Sequence, residues 1–470
     1  MQERRTAFAL LTFVFLTHAL SPSVTSSDSH WIVPQMVSIF TEGNTDVNVF
    51  TQHLRDHHWE SIDCVDSQYR ITMPDRTTGC PPNNHAYVRY PFATAVVALP
   101  ALVGLDLVLR VIGHPILRLF DFALQQEAAR SVIQKVTNRV MHRPDPRLSP
   151  VIRGFFNREY AEAFPVVEMV LGSFLMGVAS VVVFFTGLQF LSRRRAIVLA
   201  LLFAYGTAAW STGSRALWQH GPEMLMIAIA IYLLVTNRVP WSAIPLVLAY
   251  FIRPTGGIAV AMIGLYVVAH RRGEFGKWLL LAAATIAPFL AYDFALYRQP
   301  LQPYFTQQGF LKPTLENVQP FLVALAGQAV SPSRGVLIYS PFFVFSLVGF
   351  WMAIRRNWQI PLTYYLGAIV VLHWIAISAF ADWTAGHCFG ARYFSDVTPI
   401  FIFFLIPVLN EWPSFHRATR AAFVFTALLA VGIHLRGAVD WEVQRWNSPG
   451  VTPARAWDWR DPQFLHGLIK

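Results

Sequence analysis

The chain has 470 residues, of which 54% are hydrophobic and only 14% are charged. Soluble domains are about 25% charged, so this composition excludes an ordinary water-soluble enzyme. The net charge of +10 does not indicate nucleic-acid binding, because the longest basic run consists of only Arg193, Arg194 and Arg195.

Apolar blocks occur along the whole chain, and most have the length of about 15 to 25 residues that crosses a membrane as a helix. They do not alternate as the strands of a membrane barrel would. The sequence therefore predicts an all-α polytopic membrane protein with about 11–13 transmembrane helices. The blocks lie at residues 6–23, 90–112, 164–191, 196–210, 221–236, 240–253, 256–269, 277–297, 337–354, 360–380, 397–410 and 419–437.

Arginine clusters mark the cytoplasmic ends of transmembrane helices. They occur at residues 4–5, 193–195, 271–272, 355–356 and 417/420. From residue 193 onward they place 211–221, 298–336 and 381–396 outside. We predict one integral-membrane helical domain, residues 1–437, followed by a short extracytoplasmic tail, residues 438–470.

The first 163 residues do not fit a simple topology. If Arg5 is inside and the helix at 164–191 ends at an inside Arg193, everything from 24 to 163 should be outside. Yet the apolar block at 90–112 resembles one membrane crossing. Either one more segment of this region crosses the membrane, or one of the predicted crossings does not cross it. We expect the discrepancy to lie in an amphipathic insert, 113–163, whose apolar residues suit helices in the membrane interface.

The first apolar block has two interpretations. It is either an uncleaved helix or, given Arg4, Arg5 and a Ser/Pro-rich exit, a secretory signal peptide. In both cases a large extracytoplasmic loop, 24–89, follows. Cys64 and Cys80 both lie in this loop, where disulfides persist, and are a disulfide candidate, since their spacing does not resemble a zinc site.

The extracytoplasmic loop opens on a candidate catalytic acid, Asp28. A carboxylate held at the membrane surface by a helix end can act as a general base if its neighbours tune it. The alternative is that Asp28 only caps a short helix through residues 36–40.

Other segments predicted to face outside combine arginine, glycine and aromatic residues. Guanidinium groups at the outer membrane surface suit a lipid phosphate or pyrophosphate, because they make bidentate, charge-assisted contacts. The alternative is an aromatic belt with snorkelling arginines. The segments are 214–223, 253–256, 333–341 and 382–396.

Signatures of several other chemistries are missing from the sequence. It has no Walker A loop, no GxGxxG between a strand and a helix, no HExxH and no CxxC. ATP-driven transport, zinc proteolysis and nicotinamide chemistry are therefore disfavoured.

Several motifs resemble, in order and spacing, those of bacterial membrane proteins related to the GT-C superfamily of polyprenyl-phosphate-sugar-dependent glycosyltransferases. That group includes protein mannosyltransferases and the lipopolysaccharide-core and aminoarabinose transferases. The similarity covers most of the chain and implies a GT-C-like helical fold. The motifs are Asp28 after the first helix, G-N-x-D-h-(D/N) at 43–48, (K/R)-Y-P-x-(G/A)-T at 89–94, L-W-Q-H-G-P at 217–222, R-P-T at 253–255, R-G-h-h-h-Y-S-P-F at 334–342 and F-G-x-R-Y at 389–393.

The resemblance implies an enzyme that moves a sugar from a polyprenyl-phosphate carrier to an extracytoplasmic glycan, lipid or protein acceptor, by displacement with inversion. It implies that Asp28 acts as the base or positions the acceptor, with Asp46 as the second candidate. Binding of the phosphate or substrate is implied for Arg392, Arg253, His220, Tyr393, Arg89, Arg215 and Arg334. The implied location is the bacterial inner membrane, with the active site on the extracytoplasmic side.

The chain departs from the family pattern in two places. The insert 113–163 is longer than the usual connection. Asn48 stands where a second acid is expected, so a divalent metal stays open as a cofactor but has no clear acidic pair to bind it, and no other cofactor is predicted.

Two other classes of protein stay open. A lipid or glycan transporter or flippase would also need an outward polar cavity, but it should carry ionisable residues near the bilayer midplane. Here most lie at helix ends, and the exceptions or near-exceptions are Asp106, Glu168, Glu223 and Asp293. A non-catalytic membrane scaffold would be unaffected by Asp28→Asn. In every case membrane lipids are partners and nucleic acid is not.

Overall fold

The structure is a computed structural model that describes residues 2–23, 29–56, 58–125, 150–307, 318–448 and 450–468. It is mostly helical, with 71% helix and 3% strand. Asp28, the predicted catalytic acid, lies outside the described residues, as does the part of the predicted insert from 126 to 149.

Within the described residues, five helices are long and apolar enough to cross a membrane by length and composition, which supports an integral membrane protein of the helical class. These helices are Ala93–Ala123, Phe164–Leu188, Arg272–Tyr297, Arg392–Asn410 and Arg417–Val439. Several shorter apolar helices of 10–17 residues accompany them. The total of about 11–13 crossings stays a prediction.

The elements follow one another along the chain in three groups. The first group is α1 (Gln2–Ala19), α2 (Ile32–Glu42), α3 (Thr51–Asp56), β1 (Ile62–Val65), β2 (Ile71–Thr72), β3 (His85–Val88), α4 (Ala93–Gln125) and α5 (Pro150–Asn157). The second is α6 (Phe164–Leu188), α7 (Arg193–Tyr205), α8 (His220–Val235), α9 (Ala243–Ile252), α10 (Gly257–His270), α11 (Arg272–Tyr297) and α12 (Pro303–Gln307). The third is α13 (Val318–Val330), α14 (Val336–Tyr339), α15 (Phe343–Arg355), α16 (Leu362–Ser378), α17 (Thr398–Asn410), α18 (Arg417–Val439), α19 (Glu442–Arg445) and α20 (Pro453–Ala456).

Helix α17 is enclosed by the other helices, and its sequence explains why. Apolar residues occur on every side of it, which is the pattern of a helix buried all round, and every residue from Thr398 to Leu409 is buried. Helix α15 approaches it closely at Gly349, where a Cβ atom would lie 1.8 Å from the carbonyl oxygen of Phe404. A larger residue at 349 would therefore push the two helices apart.

The loop predicted to be extracytoplasmic contains a small antiparallel sheet in the order β2-β1-β3. Asp63 of β1 pairs with Tyr87 of β3, and Cys64 pairs with Thr72 of β2. The predicted disulfide between Cys64 and Cys80 is present, with the two Cα atoms 5.5 Å apart. It joins β1 to the segment that leads into β3.

Helix α4 is longer than the apolar block from which it was predicted. The block ends at residue 112, but the helix continues to Gln125 and includes both Pro100 and Pro115. Residue 113, the predicted start of the amphipathic insert, is therefore not a boundary between elements. The change from apolar to amphipathic sequence takes place within one helix.

The residues after α18 fold back onto the segment that precedes α17. Gln463 is fully buried there. Its Oε1 accepts hydrogen bonds from Arg334 Nη1 at 2.7 Å and from the Gly390 backbone N–H at 3.1 Å, and its Nε2 donates to the Cys388 carbonyl at 2.7 Å. The predicted tail, 438–470, thus holds the loop that carries Arg392 in place.

Candidate functional site

Three segments that are far apart in the sequence meet around the carboxylate of Asp396. Its Oδ1 lies 2.7 Å from His220 Nδ1, at the first residue of α8, and its Oδ2 accepts a hydrogen bond from Arg253 Nη1 at 2.6 Å. His373 Nε2, from α16, lies 3.8 Å from the same Oδ2. Glu223 completes the group, with its Oε2 4.0 Å from Arg253 Nε. We call His220, Glu223, Arg253, His373 and Asp396 the Asp396 cluster.

The local sequence explains how Arg253 comes to project from a helix end. Helix α9 ends at Ile252, and Arg253 adopts an extended backbone with φ −146° and ψ 137°. The residue before a proline is disfavoured in the helical region, so Pro254 ends the helix at this point. Thr255, the last residue of the R-P-T motif, brings its Oγ1 to 3.5 Å from Asp396 Oδ2.

The Asp396 cluster is buried, and its charges balance one another. Arg253 and Asp396 are 5% and 1% exposed, so each has lost most of its hydration and depends on the other for compensation. Burial acts to lower the pKa of Arg253, but the Asp396 and Glu223 carboxylates outweigh that effect and raise the pKa above its ordinary value. Arg253 therefore stays charged.

A second cationic group, built around Arg392, adjoins the Asp396 cluster. The guanidinium carbon of Arg392 lies 4.6 Å from the Trp218 ring centroid and 5.4 Å from that of Tyr393. The guanidinium carbon of Arg253 lies 5.6 Å from the ring centroid of the same tyrosine, Tyr393. Such contacts orient a guanidinium through the ring quadrupole. Arg392 and Tyr393 are half-buried, whereas the Asp396 cluster is buried.

The residue that follows Asp28 is hydrogen-bonded to Glu168 of α6, near the segment that leads into the Asp396 cluster. Ser29, the residue that follows Asp28, donates from its Oγ to Glu168 Oε2 of α6 at 2.7 Å. The backbone of Leu217, which begins the segment carrying Trp218 and His220, lies close enough to the Glu168 carboxylate to interact with it. Glu168 thus brings the residue after Asp28 near the segment before α8.

Asp46, the second predicted acid, lies within the extracytoplasmic loop, and the contacts described for it are local. Its Oδ2 is 2.5 Å from His85 Nδ1, and its Oδ1 accepts from the Asn48 backbone N–H at 2.8 Å. Burial, assisted by the Asp46 carboxylate, raises the pKa of Tyr87 to about 12. These contacts fit a role in holding the loop together, and a catalytic role for Asp46 stays a prediction.

Arg215 and Arg334 are fully buried, and their hydrogen bonds go to the protein itself. Arg215 donates to the backbone carbonyls of His18 and Ser21 at the end of α1. Arg334 donates to the Thr384 carbonyl at 2.5 Å, among other acceptors. These contacts favour a structural role for both arginines, so the geometry gives no support to the phosphate-binding role predicted for them.

Arg89 is paired within the extracytoplasmic loop. Its guanidinium makes an ion pair with Asp63 at 2.9 Å and donates to the Ile62 carbonyl at 3.2 Å. Burial raises the pKa of Asp63, and Arg89 opposes that effect. Of the arginines predicted to bind phosphate, Arg253 and Arg392 are the two that the structure brings together.

Sequence analysis missed several members of this site. Asp396 was seen only as part of an outer segment, although an acid three residues after F-G-x-R-Y and just before a wholly apolar helix was a usable signal. Glu223 was noted only as the last residue of an outer segment and as one of the exceptions or near-exceptions to the placement of charges at helix ends. His373 lies inside an apolar helix, and nothing near it in the sequence indicates that it would face Asp396.

Within the ranges that the structure describes, no group of three or more His, Cys, Asp or Glu side chains is placed to hold a metal ion. Comparison with known proteins identifies no relative: no family model, no curated protein and no solved structure matches the chain.

Proposed function

We propose that the protein is a membrane glycosyltransferase that moves a sugar from a polyprenyl-phosphate carrier to an extracytoplasmic glycan, lipid or protein acceptor. The observation that carries the proposal is the meeting of three motifs around Asp396. The segments 217–222, 253–255 and 389–393 carry motifs of the resemblance and belong to segments that the charge pattern also predicts to face outside, and they lie in one place in the fold. A chance set of motif matches would not be expected to converge.

The two arginines have different roles in this proposal. Arg253 is already balanced by Asp396 and Glu223, so it acts mainly to hold Asp396 and the neighbouring Tyr393 in position beside Arg392. Arg392 is half-buried between two aromatic rings, where a guanidinium is suited to bind a phosphate through charge-assisted hydrogen bonds. As the sugar leaves, negative charge grows on the carrier phosphate, and Arg392 stabilises it.

The reaction is a direct displacement. Asp28 takes the proton from the acceptor hydroxyl while the acceptor oxygen forms a bond to the anomeric carbon. The bond from that carbon to the carrier phosphate breaks on the opposite face, and its electron pair remains on the phosphate, so the configuration inverts. We place the site on the extracytoplasmic side of a bacterial inner membrane, because the arginine clusters put all three segments outside.

The positions of three buried acids near helix ends favour a transferase over a transporter, whereas a fourth, Asp106, lies within α4. Glu168 is the fifth residue of α6, Glu223 is the fourth of α8, and Asp293 lies four residues before the end of α11. A transporter is expected to hold such groups near the bilayer midplane, on broken helices. A scaffold, in turn, gives no reason for a buried cluster of this charge density beside Arg392.

The test compares cells with and without the gene by mass spectrometry of their envelope glycans and polyprenyl-linked sugars. Loss of the gene should remove one sugar from an acceptor and leave its polyprenyl-phosphate form to accumulate. Restoring the wild-type gene or an Arg298→Ala variant should reverse both changes, because Arg298 stacks on Tyr69 at 4.1 Å and has no described contact with the Asp396 cluster. An unchanged glycan profile in the deletion strain would contradict the proposal.

A further inference from the structure

Helix α4 is long and apolar enough to cross a membrane, but the position of its contacts argues otherwise. It has 33 residues, and at about 1.5 Å per residue it spans about 50 Å. Whether it crosses depends on which end of the helical bundle each part of it touches. A crossing helix must move from the outer end of the bundle to the inner end.

The start of α4 lies at the outer end of the bundle. Phe92, just before the helix, packs on Tyr292 and Phe289 of α11, with ring centroids 3.9 and 5.0 Å away. Phe289 stacks on Phe251 at 4.5 Å, and Phe251 is the last residue but one of α9. The arginine clusters place the C-terminal ends of α9 and α11 outside.

The middle of α4 lies at the outer end as well. Asp106 Oδ1 accepts a hydrogen bond from the Tyr160 hydroxyl at 2.8 Å, and Tyr160 precedes Phe164, the first residue of α6 on its outer side. From residue 92 to residue 106 the helix advances about 21 Å. Had it descended through the membrane, Asp106 would be near the bilayer midplane, far from Tyr160.

The exposed surface of α4 is divided into two stripes. The division begins after Leu107, which is apolar and 58% exposed. From there on the polar stripe comprises Arg110, His114, Arg118, Asp121 and Gln125, and the apolar stripe comprises Val108, Val111, Ile112, Pro115, Leu119 and Phe122. At 3.6 residues per turn their centres are roughly 120° apart around the helix axis. Val111, Leu119 and Phe122 are 73%, 69% and 62% exposed, so this apolar stripe has no protein cover among the described residues.

We infer that α4 does not cross the membrane but lies along its outer surface, with the apolar stripe inserted in the outer leaflet and the polar stripe in water. Adjacent apolar and charged faces are the pattern of a helix that lies in the membrane interface. Arg118 and Asp121 in the core of a bilayer would be costly, whereas in the interface they are solvated. With α4 outside, the described segments between α1 and α6 all lie outside, and they no longer conflict with the predicted topology.

The test uses two neighbouring residues that fall on different stripes. Arg118→Cys and Leu119→Cys are made in a Cys388→Ser background, where the Cys64–Cys80 disulfide leaves no other thiol. Both side chains are exposed on the protein, so neither change disturbs packing. Gln68→Cys in the extracytoplasmic loop and Arg194→Cys at the predicted cytoplasmic end of α7 serve as outside and inside controls.

Intact spheroplasts are treated with a membrane-impermeant maleimide, with and without permeabilisation. We expect Arg118→Cys to react without permeabilisation, at a rate within about threefold of Gln68→Cys, and Leu119→Cys to react at least tenfold more slowly because lipid covers it. Labelling of Arg118→Cys only after permeabilisation, as for Arg194→Cys, would show that α4 crosses the membrane. Equal rates at 118 and 119 would show that the apolar stripe faces water. Either result overturns the inference, and neither depends on the proposed enzyme activity.

Discussion

Replacing Asp396 with leucine should destabilise the protein strongly, because it removes the main partner of a buried arginine. Arg253 donates to Asp396 at 2.6 Å, and after the change the other carboxylate near it is Glu223, at 4.0 Å. Removing one partner of a buried ion pair costs about 3–5 kcal/mol. We expect a loss of this size in the free energy of unfolding.

The reciprocal change, Arg253→Met, should cost a similar amount, since it leaves two buried carboxylates without their cation. The double variant, Arg253→Met with Asp396→Leu, should recover much of the loss, because a well-packed apolar pair can replace a buried ion pair at little cost. The difference from additivity is expected to be about 2–3 kcal/mol. Yet the double variant should transfer no sugar, since the ion pair that positions the segment carrying Arg392 and Tyr393 is gone.

The measurement is reversible unfolding of the purified protein in mixed micelles, followed by a transfer assay on the folded variants. Arg70→Met is the matched control, because it breaks an ion pair of 2.7 Å whose arginine side chain is 72% exposed. Such a surface pair is worth about 1 kcal/mol or less. If Asp396→Leu costs no more than Arg70→Met, the argument from buried charge is refuted; if the folded double variant is active, the Asp396 cluster is only structural.

Three further predictions concern the remaining parts of the molecule. Asp28→Asn should abolish transfer and leave binding of the lipid donor intact, and turnover like that of the wild type would remove this residue as the base. Arg392→Ala should weaken donor binding by about ten- to hundredfold, the value of a charged hydrogen bond of about 1.5–3 kcal/mol, whereas an unchanged Kd in a lipid-binding titration would contradict its role. Cys64→Ser should lower the stability of the extracytoplasmic loop by about 3 kcal/mol through the lost cross-link to Cys80, measured as earlier proteolysis of the loop on heating.

The class of the protein and the pairing of its cysteines could be predicted from the sequence because both depend on local or countable features. Hydropathy over about 20 residues decides whether a segment can cross a membrane. Cys64 and Cys80 are the only two cysteines of the exported loop, so no competing partner exists there. The motifs around residues 217, 253 and 389 were also recognisable, since each lies within a few consecutive residues.

The role of each arginine could not be predicted in this way. Arg215, Arg253, Arg334 and Arg392 all occur among small and aromatic residues at predicted outer helix ends, and their local sequences do not tell them apart. Their partners do: Arg215 donates to carbonyls at the end of α1, whereas Arg253 donates to Asp396. These partners are more than a hundred residues away in the chain.

The sequence by itself therefore determined that this is a helical membrane protein in which Cys64 pairs with Cys80, and it predicted that the loop of these cysteines and several polar segments face outside. Only the tertiary structure decided that His220, Arg253 and Asp396 form one buried cluster, that Arg334 donates a hydrogen bond to Gln463 of the C-terminal tail, and that Asp106 of α4 meets Tyr160 just before α6. The physical reason is that hydropathy and helical periodicity act within a few turns of the chain. Which guanidinium meets which acceptor is settled only when distant helices pack together.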